Sequence, residues 1–429
     1  MIIRFNRLKN RVLFGICLLL SNIGYSQTVQ TLESCLTAAD NHLPLVQQQP
    51  LIEAAHRAAL AQLRSNYLPQ ASLNGQATWQ SDVTSLPINL PNFEVPTISK
   101  DQYRVTLDVV QPIWDGGQTA QQGNIQTALT KVEQQRVLVD RYTAREQTMQ
   151  LYCVALLSQK QLQALTESQK DIRSRREKMQ EQVNNGTAIA ANVLTFDARL
   201  LELEQMQEDA NARLQSALDG LSLLTGLPIS TNDVLQLPSI KSTNTSQNER
   251  PELTLFGLKQ ASTVAQAAAV KTKLMPKFNA IATVGYARPG LNFLSNEFAP
   301  YAILGVNFKW NLSGFYNGTP DKERQQLRIQ SDRVNIQREQ FLLQNSIKNT
   351  QQQRDIERLA KVLERDKGIV SLREQIAATA AVQLENGVLT ASEYLMETTN
   401  ATNAKINTVI HEIQLLQAQL TQSFINGSL

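Results

Sequence analysis

Three histidines, His42, His56 and His411, are the chain's whole supply of imidazole, and nothing in the sequence gathers them into a site. His42 and His56 lack the i, i+4 spacing that sets two ligands on one helix face, and no cysteine or acidic cluster completes a metal centre with them. No Gly-rich phosphate loop opens a helix, and no Gly-x-Ser-x-Gly elbow presents a nucleophile. Cys17 follows Phe14-Gly15-Ile16, a poor lipobox, and is not expected to carry lipid. Cys35 and Cys153 fall far apart on expected helices. An oxidising compartment would permit one disulfide between them, but such residues more often serve as small buried hydrophobes. Glu393, just beyond an Asn-Gly turn, has its plainest reading as a solvated helix-N-terminal acid favoured by the dipole. The chain therefore reads as a non-enzyme with no catalytic, cofactor or metal site, and its function must come from its elements.

Hydrophobic residues make up 42%, aromatics 6% and charged residues 18%. No segment reaches the roughly 18 consecutive apolar residues of a spanning helix, which excludes a multi-helix transporter. The N-terminus reads as a signal peptide over residues 1–26: Arg4, Arg7, Lys9 and Arg11, then an apolar run from Val12 to Leu20, then a small and polar exit. Without it the chain carries about 37 basic against 38 acidic residues, so its charge gives no reason to expect nucleic acid.

Proline placement organises the rest. All 14 prolines lie within residues 44–112 and 228–320, leaving two long Pro-free blocks that can be helical. Asn184-Asn185-Gly186 interrupts the first block and Glu385-Asn386-Gly387 the second, with glycine supplying the positive φ that closes a helix. Each block reads as an antiparallel helical hairpin, turning at 184–188 and at 385–389. A helix of about 65 residues is on the order of 100 Å long, which implies a coiled coil or a helical tube.

Between the blocks the period changes to two. Strands are expected near 70–80, 101–114, 277–287 and 301–312, each of about the length that crosses a bilayer as a tilted strand. Leu73, Val105, Val284 and Leu304 lie on the apolar faces. Arg104, Asp108, Asn307 and Lys309 fall on the opposite faces and would line a barrel lumen. Trp79, Tyr103, Trp114, Tyr286, Tyr301 and Trp310 stand at or near strand ends, as an interfacial girdle requires. The loop from Ser81 to Lys100, with Pro87, Pro91 and Pro96, suits an exposed outer face, as does the loop from Arg288 to Pro300.

The order repeats. Pro44 and Pro69 recur as Pro251 and Pro276, and Asn185-Gly186 as Asn386-Gly387. The expected organisation is a first repeat over 27–229, a polar connecting segment over 230–250 and a second repeat over 251–429. Four strands cannot close a membrane barrel, and an open sheet in lipid would strand its edge N–H and C=O groups. Symmetry mates must complete it, three being preferred to two because a barrel of about eight strands is filled by its own side chains.

The chain resembles the TolC-like outer-membrane efflux family. The resemblance rests on the doubled architecture, Trp114-Asp115-Gly116-Gly117 after the second strand, Leu224-Thr225-Gly226-Leu227-Pro228, Arg250-Pro251-Glu252-Leu253 and the two Asn-Gly turns. In the second repeat Asn311-Leu312-Ser313-Gly314 stands where the Asp-Gly-Gly is expected. The fold implied is a mixed α and β membrane protein, a duplicated protomer giving four transmembrane strands to a trimeric 12-stranded barrel continued by a periplasmic α-helical barrel. The resemblance further implies a homotrimer in outer-membrane lipid, a periplasmic adaptor and an inner-membrane pump. It makes Asn185, Gly186, Asn386 and Gly387 adaptor-contacting tips, and Pro69 and Pro276 the bends between barrel and tunnel. It implies an acidic ring at the closed inner mouth, with Glu393 in place, Met396 where a second acid is expected and Glu397 beside it. In the first repeat the matching position is Asn192, with Asp197 further along. A type I protein-secretion outlet fits the same features. A periplasmic adaptor or scaffold fits less well, because it would carry one hairpin rather than two.

Overall fold

A computed structural model describes residues 29–84, 97–239 and 249–429. The expected signal segment, the prolines Pro87, Pro91 and Pro96, and residues 240–248 of the polar join lie outside the described residues. In chain order the elements are β1 (Val29–Gln30), α1 (Leu32–His42), α2 (Gln48–Ser65), β2 (Gln70–Trp79), β3 (Asp101–Trp114), α3 (Gln118–Asn184) and α4 (Ala190–Thr225). There follow β4 (Val234–Leu235), α5 (Pro251–Val270), β5 (Lys277–Arg288), β6 (Ala299–Lys309), α6 (Thr319–Glu385) and α7 (Ala391–Asn426). Helices α3 and α6 each have 67 residues, and α4 and α7 each have 36. Among the described residues no helix is long and apolar enough to cross a membrane. Two compact units divide the chain: Pro44–Asp140 with Glu249–Ile347, and Met1–Leu43 with Arg141–Asn248 and Lys348–Leu429.

The first unit holds an antiparallel sheet in the order β2-β3-β5-β6. Pro69 and Pro276 immediately precede β2 and β5, where a proline ends the helical path and admits an extended one. Strand pairing places Ser72, Asp108, Thr283 and Ile303 in one cross-strand row, and Leu73, Leu107, Val284 and Ala302 in the next row, on the other face. One face is therefore polar and the other apolar. Among the described residues nothing covers the apolar face: Leu304 is 83% exposed and Leu73 74%. Aromatic clusters bracket it, Tyr103 and Tyr286 around Phe298 at one end, and Phe278 between Trp114 and Phe308 at the other.

Tyr301 corrects the girdle expected from sequence. It pairs with Gly285, which pairs with Thr106, so its ring lies on the polar face. Gly285 makes room for it, since a Cβ there would overlap the Tyr301 ring. The last strand also ends at Lys309 rather than near 312, because the Asn311 side chain accepts from the Ser313 N–H at 3.1 Å and turns the backbone into one helical turn.

The joint from β3 into α3 explains Trp114-Asp115-Gly116-Gly117. The Asp115 carboxylate accepts from the Gly117 and Thr119 N–H groups at 2.9 and 2.7 Å and from the Tyr67 hydroxyl at 2.8 Å, so it occupies donors that the start of α3 would leave open. Gly116 and Gly117 both adopt positive φ, 74° and 80°. Before α6 the equivalent is Asn317-Gly318, not the segment at 311–314. Gly318 has φ 64°, and the Asn317 side chain accepts from the Thr319 N–H at 2.9 Å.

The second unit is helical. Its core has two clusters, one around Tyr152, Leu218, Leu221 and Phe424, the other around Ile172, Phe196, Leu203 and Tyr394. Cys35 and Cys153 are free thiols in the first cluster. There the short parallel pair β1–β4 is tied to α3. The Tyr152 hydroxyl lies 2.9 Å from the Gln30 carbonyl and 2.6 Å from that of Gln236. Gln159 donates to the Asp233 carbonyl at 2.8 Å and accepts from the Leu235 N–H at 3.2 Å.

Candidate functional site

Two places gather the functional residues expected from sequence: the ends of the helical hairpins and the polar face of the sheet. The hairpin α3–α4 closes through Gly186 at φ 73°, with Gly186 N–H bonded to the Val183 carbonyl and Thr187 N–H to that of Gln182. Hairpin α6–α7 repeats this with Gly387 at φ 69°, bonded to Leu384, and Val388 to Gln383. Both are Schellman closures, in which the crossed pair satisfies carbonyls that the helix end would leave open. Asn185, Gly186, Asn386 and Gly387 are all exposed.

The restart after each turn differs. Thr390 and Glu393 form a reciprocal capping box on α7: the Glu393 carboxylate accepts from the Thr390 N–H at 2.9 Å and hydroxyl at 2.7 Å, and the Glu393 N–H reaches the Thr390 hydroxyl at 3.3 Å. Those bonds from the Thr390 backbone and hydroxyl hold the Glu393 carboxyl below its usual range. Helix α4 has Ile189 at its N-cap and no side-chain cap bond, and Asn192 takes the position of Glu393. The neighbouring acids are also engaged. Arg176 donates to Asp197 at 2.8 Å, Arg373 to Glu397 at 3.2 Å, and Glu385 faces Arg175 and Lys178 at 3.6 and 3.5 Å. Glu393 and Glu397 line a groove of about 560 Å³ with Leu372, Ile376, Leu389 and Met396.

On the sheet, Arg104, Asp108, Asn307 and Lys309 all fall on the polar face. They are spread along it rather than gathered. Asp108 is the centre of a bonded network, accepting from Asn74 at 2.7 Å, Thr106 at 2.8 Å and Thr283 at 2.6 Å, three strands converging on one carboxylate. Sequence reading missed Lys277, which pairs directly with Lys309. Continuing the strand parity by one step to the residue after Pro276 would have found it. It also missed Thr390, although Thr-x-x-Glu is a capping signature in its own right. Among the described residues no group of three or more His, Cys, Asp or Glu side chains is placed to hold a metal ion.

Residues 37–227 match the family model described as outer membrane efflux protein. No curated protein matches the chain in sequence. Solved structures share the fold over nearly its whole length. The Campylobacter jejuni CmeC outer membrane channel has a TM-score of 0.66 at 14% identity, covering 92% of this chain and 86% of its own. The Vibrio cholerae outer membrane protein VceC gives 0.67 at 14% identity, with 92% and 96% covered. The open state of the Neisseria gonorrhoeae MtrE outer membrane channel gives 0.63 at 13%, with 92% and 89% covered. The family resemblance read from sequence is thus found again by the family model over residues 37–227, and these structures share the fold over 92% of the chain.

Proposed function

We propose that this chain, matched in its first repeat by the outer membrane efflux protein family, is the passive outer-membrane exit channel of a tripartite efflux pump. Three copies complete a twelve-stranded barrel, and their helices continue it as a periplasmic tunnel. A periplasmic adaptor couples the tunnel to an inner-membrane pump, the exposed turns at Asn185-Gly186 and Asn386-Gly387 meet the adaptor, and Glu393 stands at the inner mouth.

The observation that carries this reading is the sheet. Among the described residues its two outer strands, β2 and β6, each pair on one side only, and nothing covers its apolar face. Water would penalise that face, and lipid would penalise the free edges. A closed barrel in a bilayer, built with further copies of the same sheet, removes both penalties at once.

Crosslinking in a Gram-negative-type envelope, followed by detergent extraction, tests it. The expected products are a detergent-requiring trimer and a larger species containing an adaptor and an inner-membrane transporter. A chain that washes off membranes with salt, or a trimer that never captures an adaptor, would refute the proposal. The identity of the inner-membrane partner separates small-molecule efflux from type I protein secretion.

A further inference from the structure

We propose that the polar face of the sheet makes the barrel interior selective for anions, with Lys277 and Lys309 as the residues that set the preference. The inference rests on the channel reading above, because only a closed barrel turns that face into a pore wall.

Charge on that face is lopsided. Its cations are Arg104, Lys277 and Lys309, and its one carboxylate is Asp108. Lys277 and Lys309 are direct cross-strand partners, an arrangement that repels itself. Asp108 does not relieve them. It pairs with Thr283, six residues along β5 from Lys277, which is about 20 Å at roughly 3.4 Å per residue. The Debye length at physiological salt is about 8 Å, so the two are electrostatically separate. Asp108 is moreover occupied by three neutral donors.

The acids of the flanking segments are held elsewhere. Asp115 caps α3, Glu323 takes both its bonds from Lys273, and Asp321 pairs with Arg324. Lys277 donates to a neutral side chain, that of Gln118. An unrelieved pair of ammonium groups is tolerable only where water and mobile counter-ions reach it. In a closed barrel the pair repeats once per copy, giving a ring of cationic side chains on the wall of the aqueous passage, the kind of arrangement by which side-chain charge selects ions. The solutes favoured are those bearing carboxylate, sulfonate or similar anionic groups.

The test reads the local potential directly. In the full-length membrane-embedded protein, Asn307→Cys places a thiol on the polar face two residues from Lys309, while Cys35 and Cys153 stay buried. Its rates with an anionic sulfonate and a cationic trimethylammonium methanethiosulfonate are compared, each scaled to a free thiol. The anionic reagent should be favoured several-fold at low salt. The preference should shrink toward 1 M salt, where the Debye length is about 3 Å, and should disappear in the Lys277→Gln/Lys309→Gln background. Equal rates, or a preference for the cationic reagent, would overturn the inference. A thiol at Asn307 that reacts with neither reagent, while one at Val306 on the opposite face reacts freely, would remove the channel reading itself.

Discussion

Gly116 and Gly117 form a matched experiment inside the joint between β3 and α3. Both have positive φ, 74° and 80°, where an L side chain is strained by about 1 to 2 kcal/mol. They differ in what a Cβ would meet. At Gly117 nothing lies within 4 Å, whereas at Gly116 the new atom would sit 2.7 Å from Met275 Cβ, 3.3 Å from the Pro276 carbonyl and 3.4 Å from that of Thr272. Two of these neighbours are backbone and the third is the root of a side chain, so no rotamer change clears the space. Forcing an extra carbon into such a contact costs about 1 to 3 kcal/mol. Gly117→Ala should therefore lose about 1 to 2 kcal/mol, and Gly116→Ala about 2 to 5 kcal/mol, with the strand-to-helix joint opening first. Denaturant unfolding of the two variants in detergent, read by circular dichroism, gives the order. Hydrogen exchange at the Thr119 amide, bonded to Asp115, gives the location. Met275→Gly should recover part of the loss in the Gly116→Ala background while destabilising the parent, a coupling that a double-mutant cycle measures. If Gly116→Ala is as stable as Gly117→Ala, the close packing of this joint against the turn before β5 is wrong.

The capping box gives a signed pH dependence: with the Glu393 carboxyl lowered, its contribution to α7 is present at neutral pH and lost as pH falls below the ordinary carboxylate range. Hydrogen-exchange protection in the first turn of α7 should drop on acidification in the parent and much less in Glu393→Gln. Tyr152→Phe should cost about 1 to 3 kcal/mol by taking the hydroxyl donor from the Gln236 carbonyl and leaving the Gln30 carbonyl its bond from the Gln236 N–H at 3.0 Å, and limited proteolysis should then cut sooner near residues 234–239. Burial raises the Cys153 thiol to about 12, so iodoacetamide at pH 8 should leave it unmodified in the folded protein and label it after denaturation. Rapid labelling of the folded chain would contradict its burial.

The strands were legible because period two is written residue by residue: apolar Leu73, Val105, Val284 and Leu304 fix a face before any partner strand is known. The helix ends were legible because Gly186 and Gly387 have one conformational purpose there. Contacts made at long sequence separation were not legible. Nothing near Tyr152 announces the Gln30 and Gln236 carbonyls, and helical periodicity does not say that Glu397 will meet Arg373. Tyr301 was misread for a related reason. Its nearness to a strand end suggested a girdle, but parity, which puts it opposite Gly285, decides the face. At Glu393 the sequence reading reached a helix-N-terminal acid favoured by the dipole and stopped short of its partner, although Thr390-Ala391-Ser392-Glu393 states the capping box locally.

The duplication adds a constraint that the separate elements do not. Gly117, Gly186 and Gly226 recur as Gly318, Gly387 and Gly427, all with positive φ, and the helices between them have equal lengths, 67 and 36 residues in both copies. No residue has been gained or lost along either hairpin. At about 3.6 residues per turn a single insertion rotates every later side chain by about 100°, carrying a buried stripe to the surface. Sequence is free to drift under that constraint so long as register is kept, and it has: Ile189 and Asn192 stand where Thr390 and Glu393 form a capping box. The uncapped start of α4 is then the tip where order is more easily lost. Converting Ile189→Thr and Asn192→Glu together should install the second capping box and raise hydrogen-exchange protection in the first turn of α4. Either change alone should give less than half the gain, because each side chain satisfies the other's backbone N–H. Full protection from Asn192→Glu alone would show that the dipole, and not the reciprocal bonds, does the stabilising.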